Sequence, residues 1–135
     1  MTSPRRSITL ATLALAAVFA VGACSTSGSG ATQDPVRQVA AAEAVDLLDG
    51  RTVIDVRRPD EFAAGHVAGA LNINVEDAAF DSQIAELDKG GSYLLYCHSG
   101  RRSAMAAERM AQAGFTDVVD AGGFQALAEA GAPVE

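Results

Sequence analysis

From residue 36 onward, short apolar runs alternate with amphipathic segments. The apolar runs predict strands at residues 36–39, 52–56, 71–75, 93–96 and 118–121. Each run is short and apolar enough for a central position in a sheet that is covered on both faces. Strands that alternate with helices at such short intervals are typical of an α/β domain with a largely parallel sheet. The pattern therefore predicts one α/β domain, with about five strands flanked by helices, over residues 36–135.

The segments between the apolar runs predict five helices. They cover residues 41–48, a short turn from residue 59, residues 81–87, residues 103–113 and a segment after residue 123. Pro59 suits the first position of a helix, because its missing N–H would have no partner there. Asp81 or Ser82 could cap the third helix, and Gly114 is a favourable C-terminal residue for the fourth.

The N-terminal segment has a different pattern. Arg5 and Arg6 precede an uncharged, mostly apolar stretch of 14 residues, from residue 8 to residue 21. This stretch is shorter than the about 20 residues that favour a membrane-spanning helix. It predicts a secretory signal peptide over residues 1–23, with an uncleaved transmembrane anchor as the alternative.

Cys24 follows two small residues, and the resulting VGAC resembles the lipobox of bacterial lipoproteins. In a lipobox the cysteine is lipidated and becomes the new N-terminus. Val21 stands where leucine is usual, so cleavage by the general signal peptidase stays open. Residues 24–35 contain the polar run STSGSGATQD, which predicts a flexible tether. We therefore expect an exported protein that is anchored to the outer face of the cytoplasmic membrane by a lipid on Cys24, or that is periplasmic if Cys24 is not lipidated.

The charge balance limits the expected partners. Loss of residues 1–23 leaves 8 basic and 17 acidic residues, a net charge of −9. Such an acidic chain is a poor nucleic-acid binder, so no nucleic-acid partner is expected. The sequence has two cysteines, Cys24 and Cys97. Lipidation of the first would leave Cys97 as the free thiol.

Cys97 opens the segment CHSGRRS, between the predicted strand at residues 93–96 and the predicted helix at residues 103–113. In open α/β sheets, ligands bind at the loops that leave the carboxyl ends of strands. The helix would direct unpaired N–H groups toward this loop, and Gly100 permits a turn in which such groups converge on an anion. Arg101 and Arg102 add positive charge. These features should stabilise a thiolate, so Cys97 is predicted to be a nucleophile.

Three segments, in this order, resemble the motifs of rhodanese-like domains. The upstream signature of that family is similar to VIDVRRPDEFAAGHVAGALNI, and its active-site strand, loop and helix are similar to LLYCHSGRRSAMAAERMAQAGF. Its C-terminal end is similar to DAGGF followed by EAGAPVE. The resemblance covers about residues 36–135. The family often has a tryptophan a few residues after the double glycine, where this chain has Leu127, a departure that concerns packing more than chemistry.

The resemblance implies a sulfurtransferase that works by double displacement. Cys97 would take the outer sulfur of an anionic donor such as thiosulfate, form a persulfide, and pass the sulfur to a thiol, to a cyanide-like acceptor or to an acceptor protein. No metal and no organic cofactor is implied. The N–H groups of the substrate-binding loop would hold the persulfide anion, and its two arginines would attract the donor's sulfonate. The implied loop residues are His98, Ser99, Gly100, Arg101, Arg102 and Ser103.

Three other functions fit parts of the pattern. Tyrosine-phosphatase-like enzymes need an arginine six positions after the cysteine, where this chain has Ser103, and the tighter loop fits a sulfane sulfur better than a phosphate. A thiol oxidoreductase would need a second free cysteine, which exists only if Cys24 is not lipidated. A sulfur carrier or partner-binding module without turnover stays open, because no sequence feature separates a carrier from an enzyme.

Several polar residues near the motifs have structural interpretations that we prefer to catalytic ones. Asp55, which precedes Arg57 at the end of a strand, is predicted to form a structural ion pair. His66 is predicted to fix its loop by hydrogen bonding, and Arg58 to lie in solvent. His98 is interpreted either as a proton-transfer group or as an exposed loop residue.

Overall fold

The computed structural model describes residues 34–135. The predicted signal peptide, the predicted lipidation site Cys24 and most of the predicted linker lie outside these residues. In the described part, strands and helices alternate from β1 to α5.

Five strands form one parallel sheet. They are β1 (Val36–Gln38), β2 (Thr52–Asp55), β3 (Leu71–Asn72), β4 (Ser92–Cys97) and β5 (Asp117–Gly123), in the spatial order β1-β5-β4-β2-β3. Each neighbouring pair runs parallel, so every connection must cross over a face of the sheet. The predicted α/β fold with a five-stranded parallel sheet is confirmed.

Five helices alternate with the strands, and the first four provide these crossovers. They are α1 (Ala41–Asp46), α2 (Pro59–Ala63), α3 (Phe80–Ala85), α4 (Arg101–Gln112) and α5 (Phe124–Glu129). Because side chains alternate between the faces of a strand, β4 contributes to two separate cores. Leu95 and Cys97 pack with Met110 of α4 on one face, whereas Leu94 and Tyr96 pack with Leu127 of α5 on the other.

The prediction that all five apolar runs are central is wrong for β1 and β3, which form the edges of the sheet. β3 has two residues and begins at Leu71, which is 47% exposed. After Asn72, the backbone N–H groups of Ile73 and Val75 still donate hydrogen bonds to carbonyl oxygens at the end of β2, those of Asp55 and Val56. Both side chains are buried. The apolar run at residues 71–75 therefore reflects burial of a connection rather than a central strand.

Helix boundaries also differ from the predictions. α1 and α3 each end two residues earlier than expected. Neither Asp81 nor Ser82 caps α3, because Ala79 occupies that position and the Ser82 hydroxyl donates to the Ala79 carbonyl. α4 begins at Arg101, two residues before the predicted start at Ser103, because Gly100 turns the chain with a φ of 95°. Ser103 therefore lies in the first turn of α4.

Candidate active site

Cys97 is the last residue of β4, and three residues separate it from the start of α4. Its Sγ accepts a hydrogen bond from the Gly100 N–H, at 3.0 Å. The first N–H groups of α4 lack partners within the helix, and the positive end of the helix dipole is at the same place. A sulfur anion at Cys97 would therefore meet backbone donors and a favourable dipole.

The Cys97 thiol is free and fully shielded from solvent. A reagent can reach Sγ only when the loop above it moves. A persulfide would lengthen this side chain by one S–S bond, about 2 Å.

β5 has a β-bulge beside Cys97. Leu95 pairs with Asp120 and Cys97 pairs with Gly123, so β5 has two residues between these pairs where β4 has one. The Asp120 carboxylate is 2% exposed and accepts the Gly122 N–H at 3.0 Å. Gly122 has a φ of 80°, a conformation that favours glycine. The bulge brings the Gly122-Gly123 corner against the thiol loop.

This corner contacts the thiol loop closely. A Cβ atom on Gly123 would lie 2.8 Å from the His98 carbonyl oxygen, and one on Gly100 would lie 3.5 Å from the Gly122 Cα atom. The Ser103 hydroxyl lies 3.0 Å from the Gly100 carbonyl oxygen and 3.4 Å from that of Gly122. Backbone of β5 therefore supports the loop that holds the sulfur.

The two loop arginines have different surroundings. Arg101 is exposed. Arg102 donates from Nη1 and Nη2 to the two carboxylate oxygens of Glu61, at 2.7 and 2.8 Å, and from Nη1 to Glu76 at 3.2 Å. The hydrogen bonds from Arg102 lower the pKa of Glu61 to about 2, and Glu61 in turn raises the pKa of Arg102. Because Glu61 lies on α2, this ion pair joins α2 to α4, and it offsets the charge of Arg102. Attraction of a donor by Arg102 stays a prediction.

Asp55 and Arg57 form a buried ion pair, as the preferred interpretation of Asp55 expects. Their side chains are 0% and 4% exposed. Arg57 donates to the Asp55 carboxylate from Nε at 2.9 Å and from Nη2 at 2.6 Å. Nη2 also donates to the Gly65 carbonyl at 2.7 Å. This pair therefore fixes the loop after α2 to the end of β2.

The remaining singled-out residues lie near the site. His66 Nδ1 is 3.0 Å from the Phe62 carbonyl oxygen, a contact that agrees with the loop-fixing interpretation. The Arg58 side chain is 58% exposed and pairs with Asp60, as expected for a residue in solvent. His98 is exposed at the loop, and its role stays a prediction.

A depression of 320 Å³ lies beside the thiol loop. Its lining residues are Arg57, Glu61, Ala64, Gly65, His98 and Phe124. The Arg57 guanidinium lies 4.4 Å from the centre of the Phe124 ring. These residues come from the chain between the end of β2 and the residues just after α2, from the thiol loop and from the start of α5. No local sequence pattern could bring them together. Three features of the site were therefore not predicted: this depression, the Glu61–Arg102 pair and the position of Asp120.

The described residues contain no group of three or more side chains suited to hold a metal ion. Between residues 34 and 135 no helix is both long and apolar enough to cross a membrane.

Comparison with known proteins identifies the family of this chain. The family model described as the rhodanese-like domain matches residues 40–130. Thiosulfate sulfurtransferase PspE from Escherichia coli K12 is 37% identical over 75 residues, which are 56% of this chain and 72% of that protein. YrkF from Bacillus subtilis, whose name describes a sulfur carrier, is 33% identical over 76 residues, which are 56% of this chain and 40% of YrkF.

A solved structure has the same fold. The rhodanese-related protein from Thermoplasma volcanium superimposes with a TM-score of 0.60 at 34% sequence identity. The match covers 73% of this chain and 97% of that one. The likeness thus includes nearly the whole of the Thermoplasma protein.

Proposed function

Because this chain belongs to the rhodanese-like domain family, we propose that it transfers sulfane sulfur from an anionic donor such as thiosulfate to a thiophilic acceptor, through a persulfide on Cys97. The observation that carries the proposal is the 3.0 Å contact between Cys97 Sγ and the Gly100 N–H at the start of α4. Relatives named as thiosulfate sulfurtransferases support the same reaction class.

The reaction consists of two displacements at sulfur. The Cys97 thiolate attacks the outer sulfur of thiosulfate, the S–S bond of the donor breaks, and sulfite leaves with the electron pair. The acceptor then attacks the outer sulfur of the persulfide and the Cys97 thiolate departs. The thiolate and the persulfide are both anions, so backbone N–H groups in fixed positions stabilise the reacting sulfur throughout.

Arg101 and Arg102 have different roles in the proposed reaction. Arg101 lies exposed next to Gly100 and draws the anionic donor toward the loop. Arg102, held by Glu61, ties the start of α4 to α2 and keeps the loop in place. Arg101 therefore acts on the donor, whereas Arg102 acts mainly on the protein.

The test is thiocyanate production from thiosulfate and cyanide by the purified full chain. Cys97→Ser keeps nearly the same volume but removes the sulfur nucleophile, so turnover should disappear while the thermal unfolding temperature changes little. Ala42→Ser, a substitution at an exposed position of α1, is the control and should retain the full activity. Equal rates for the Cys97→Ser variant and the unaltered chain would refute the mechanism.

A sulfur carrier without turnover is the second candidate, and the complete burial of Cys97 is the observation that favours it. A shielded persulfide reacts slowly with small acceptors and is protected until a partner opens the loop. Mass spectrometry after exposure to thiosulfate distinguishes the two functions. A carrier would retain one added sulfur on Cys97 in the presence of cyanide, whereas an enzyme would lose it.

We also propose that the protein is exported and held on the membrane by lipidation of Cys24, on the strength of the VGAC motif and the preceding apolar stretch. Two or more acyl chains would give stable anchoring. Cys24→Ser should move the protein from the membrane fraction to the soluble fraction of cells. Retention of the variant in membranes would contradict lipidation.

A further inference from the structure

A groove of 460 Å³ lies between β1, at one edge of the sheet, and the exposed side of α4. Its helix wall consists of residues that are three or four positions apart and therefore share one face of α4. They are Arg101, Ala104, Met105 and Glu108. The opposite wall comes from β1 and β5. None of the residues that line the groove lines the depression beside His98, so the groove is a separate surface.

The groove has a buried carboxylate at its bottom. Gln38 of β1 and Asp120 of β5 are partners in the register of the two strands, so their side chains point to the same face of the sheet. Val118, two residues before Asp120, packs with Met110 of α4, which identifies this face as the one that α4 covers. Asp120 is 2% exposed, whereas Gln38 is exposed. The carboxylate thus lies deep in the groove and the amide lies at its rim.

One oxygen of this carboxylate is not used by the protein. Oδ1 of Asp120 accepts the Gly122 N–H at 3.0 Å. Among residues 34–135, no donor binds Oδ2, and no fully buried side-chain nitrogen or oxygen lacks a partner. Oδ2 must therefore keep contact with solvent, and the groove is the surface that Asp120 lines. Because a buried carboxylate without a partner is costly, a ligand that brings a positively charged N–H donor to Oδ2 would be stabilised here.

The charges of the groove favour a ligand with one positive charge. Arg101 contributes a positive charge, and Glu108 and Asp120 each contribute a negative one. Arg101 and Glu108 are exposed, so water hydrates both, and the buried charge is that of Asp120. A monocation would balance the three side chains, whereas an anion would add to their excess of negative charge. The net charge of −7 on the whole chain acts in the same direction.

The walls of the groove suit an aliphatic chain. Met105 is 42% exposed and lies beside Ala104 on the helix wall, and Val36 is half-buried on the strand wall. Cover of these apolar surfaces by a hydrocarbon chain would be favourable. An ammonium group has three donors, enough for Oδ2 of Asp120 and the side-chain carbonyl of Gln38 together.

We propose that this groove binds a primary ammonium group on a short aliphatic chain, with the ammonium group on Asp120 Oδ2 and the chain against Met105. Two sources carry this chemistry, a free alkylamine and the side chain of a lysine in a peptide. The binding includes no covalent step and does not depend on the proposed sulfur transfer. Because Arg101 lines the groove and also belongs to the thiol loop, the ligand would lie beside that loop without occupying it.

The test is a titration of the ¹⁵N-labelled full chain with n-pentylamine at constant pH. The amide signal of Gly122 is the readout, because this N–H donates to the carboxylate of Asp120. The signal should shift with a Kd of about 1 mM, as suits a ligand of this size. Tetramethylammonium is a cation without an N–H donor, and 1-pentanol has the aliphatic chain without the charge. Each should bind about tenfold more weakly than n-pentylamine, because each lacks the charged hydrogen bond.

A capped lysine, Nα-acetyl-lysine N-methylamide, distinguishes the two sources of the ammonium group. It has the same ammonium group on a chain of similar length, with a peptide unit on each side. Tighter binding of the capped lysine than of n-pentylamine would assign the groove to a peptide. Tighter binding of n-pentylamine would assign it to a free amine, and either result supports an ammonium site.

Two variants locate the site. Asp120→Asn keeps an oxygen that can accept the Gly122 N–H but removes the charge, and should raise the Kd of n-pentylamine about tenfold. Asp46→Asn, the same change at an exposed position of α1, is its matched control. Ala104→Phe fills the groove from an exposed position and should weaken binding to a similar extent, even if Asp120→Asn does not fold. Ala42→Phe, also exposed on α1, is the control for this variant, and neither control should change the Kd.

Three results would overturn the ammonium site. Equal Kd values for n-pentylamine and tetramethylammonium would mean that general attraction of cations explains the binding. An unchanged Kd in Ala104→Phe would place the ligand outside the groove. A Gly122 signal that does not move at amine concentrations well above the expected Kd would mean that the carboxylate takes no ligand. None of these results would affect the proposed sulfur transfer, which is tested through Cys97.

Discussion

The ends of β2 and β4 lie side by side in the sheet, with Asp55 paired to Tyr96, but they hold polar groups in different ways. At the end of β2, Asp55 and Arg57 satisfy each other in a buried ion pair. At the end of β4, the Cys97 sulfur is held by a backbone N–H of the loop. The first arrangement uses charge to fix a loop. The second holds the sulfur with the backbone alone, so in the proposed reaction no side-chain partner of the sulfur would have to be displaced.

Asp55→Ala should have the largest effect, and it tests the buried ion pair at the end of β2. Without the carboxylate, Arg57 would be a buried and uncompensated charge, so the free energy of unfolding should fall by about 3–5 kcal/mol. Urea unfolding followed by circular dichroism measures the loss. Asp60→Ala, which breaks an exposed pair with Arg58, is the control and should change stability little. Similar stability of the two variants would mean that the buried pair is dispensable.

Gly123→Ala should have the next largest effect, and it tests how the loop at the end of β4 is held in place. The new methyl group would lie 2.8 Å from the His98 carbonyl oxygen, so the loop must shift. Because misplacement by about 1 Å can cost 10²-fold in rate, kcat/KM for thiosulfate should fall about 100-fold in a protein that remains folded. The rate at which Cys97 is alkylated should change as well, since the loop that shields the sulfur would move.

Gly90→Ala is the control for this substitution. A Cβ atom on Gly90 would make only an ordinary contact of 3.6 Å with Asp88, and Gly90 lies before the start of β4, at the other end of this strand from the loop. Its kinetics should equal those of the unaltered chain. If the Gly123→Ala variant also keeps its activity and the rate at which its Cys97 is alkylated, then the β-bulge does not position the thiol.

Much of the fold could be predicted from sequence because its signals are local. The apolar runs located all five strands, and the position of Cys97 between a buried run and a helix placed it at the carboxyl edge of the sheet. The edge position of β3 was missed because Ile73 and Val75 are buried in a connection, and burial gives the same apolar pattern as a central strand. The start of α4 was missed because a left-handed residue at Gly100 ended the loop early.

The partners within the site could not be predicted because they are distant in sequence. Glu61 and Arg102 are 41 residues apart, and nothing in the spacing of charges distinguishes this pair from the many other combinations of acidic and basic residues. The β-bulge depends on the register between β4 and β5, which a single strand does not reveal. In the sequence, Gly122-Gly123 is part of a motif that resembles the family and precedes the last predicted helix, whereas its close contact with His98 is a tertiary property.

Arg101→Ala and Arg102→Ala should separate donor attraction from loop support. Removal of the exposed Arg101 should raise the KM for thiosulfate about fivefold at low salt, with a smaller effect at high salt, because attraction at the surface is screened. Arg102→Ala should mainly lower stability, because it leaves Glu61 without its bidentate partner. Steady-state kinetics at two ionic strengths and thermal unfolding make the comparison. A salt-sensitive rise in KM for Arg102→Ala, with none for Arg101→Ala, would reverse the two roles.

Acidification should have the smallest effect on the free energy of unfolding. It acts through the Glu61–Arg102 ion pair, which links α2 to α4. The pKa of Glu61 is lowered from 4.5 to about 2 in the folded chain, chiefly by its hydrogen bonds to Arg102. A lowered pKa means that the pair contributes its full stability above about pH 4.5 and loses it as the pH falls toward 2. Because both side chains are partly exposed, the loss should be about 0.5–1 kcal/mol. Urea unfolding between pH 5 and pH 2 should therefore have a steeper acid dependence in the unaltered chain than in Glu61→Gln. Identical pH dependence in the two proteins would show that this ion pair adds nothing to the stability of the loop.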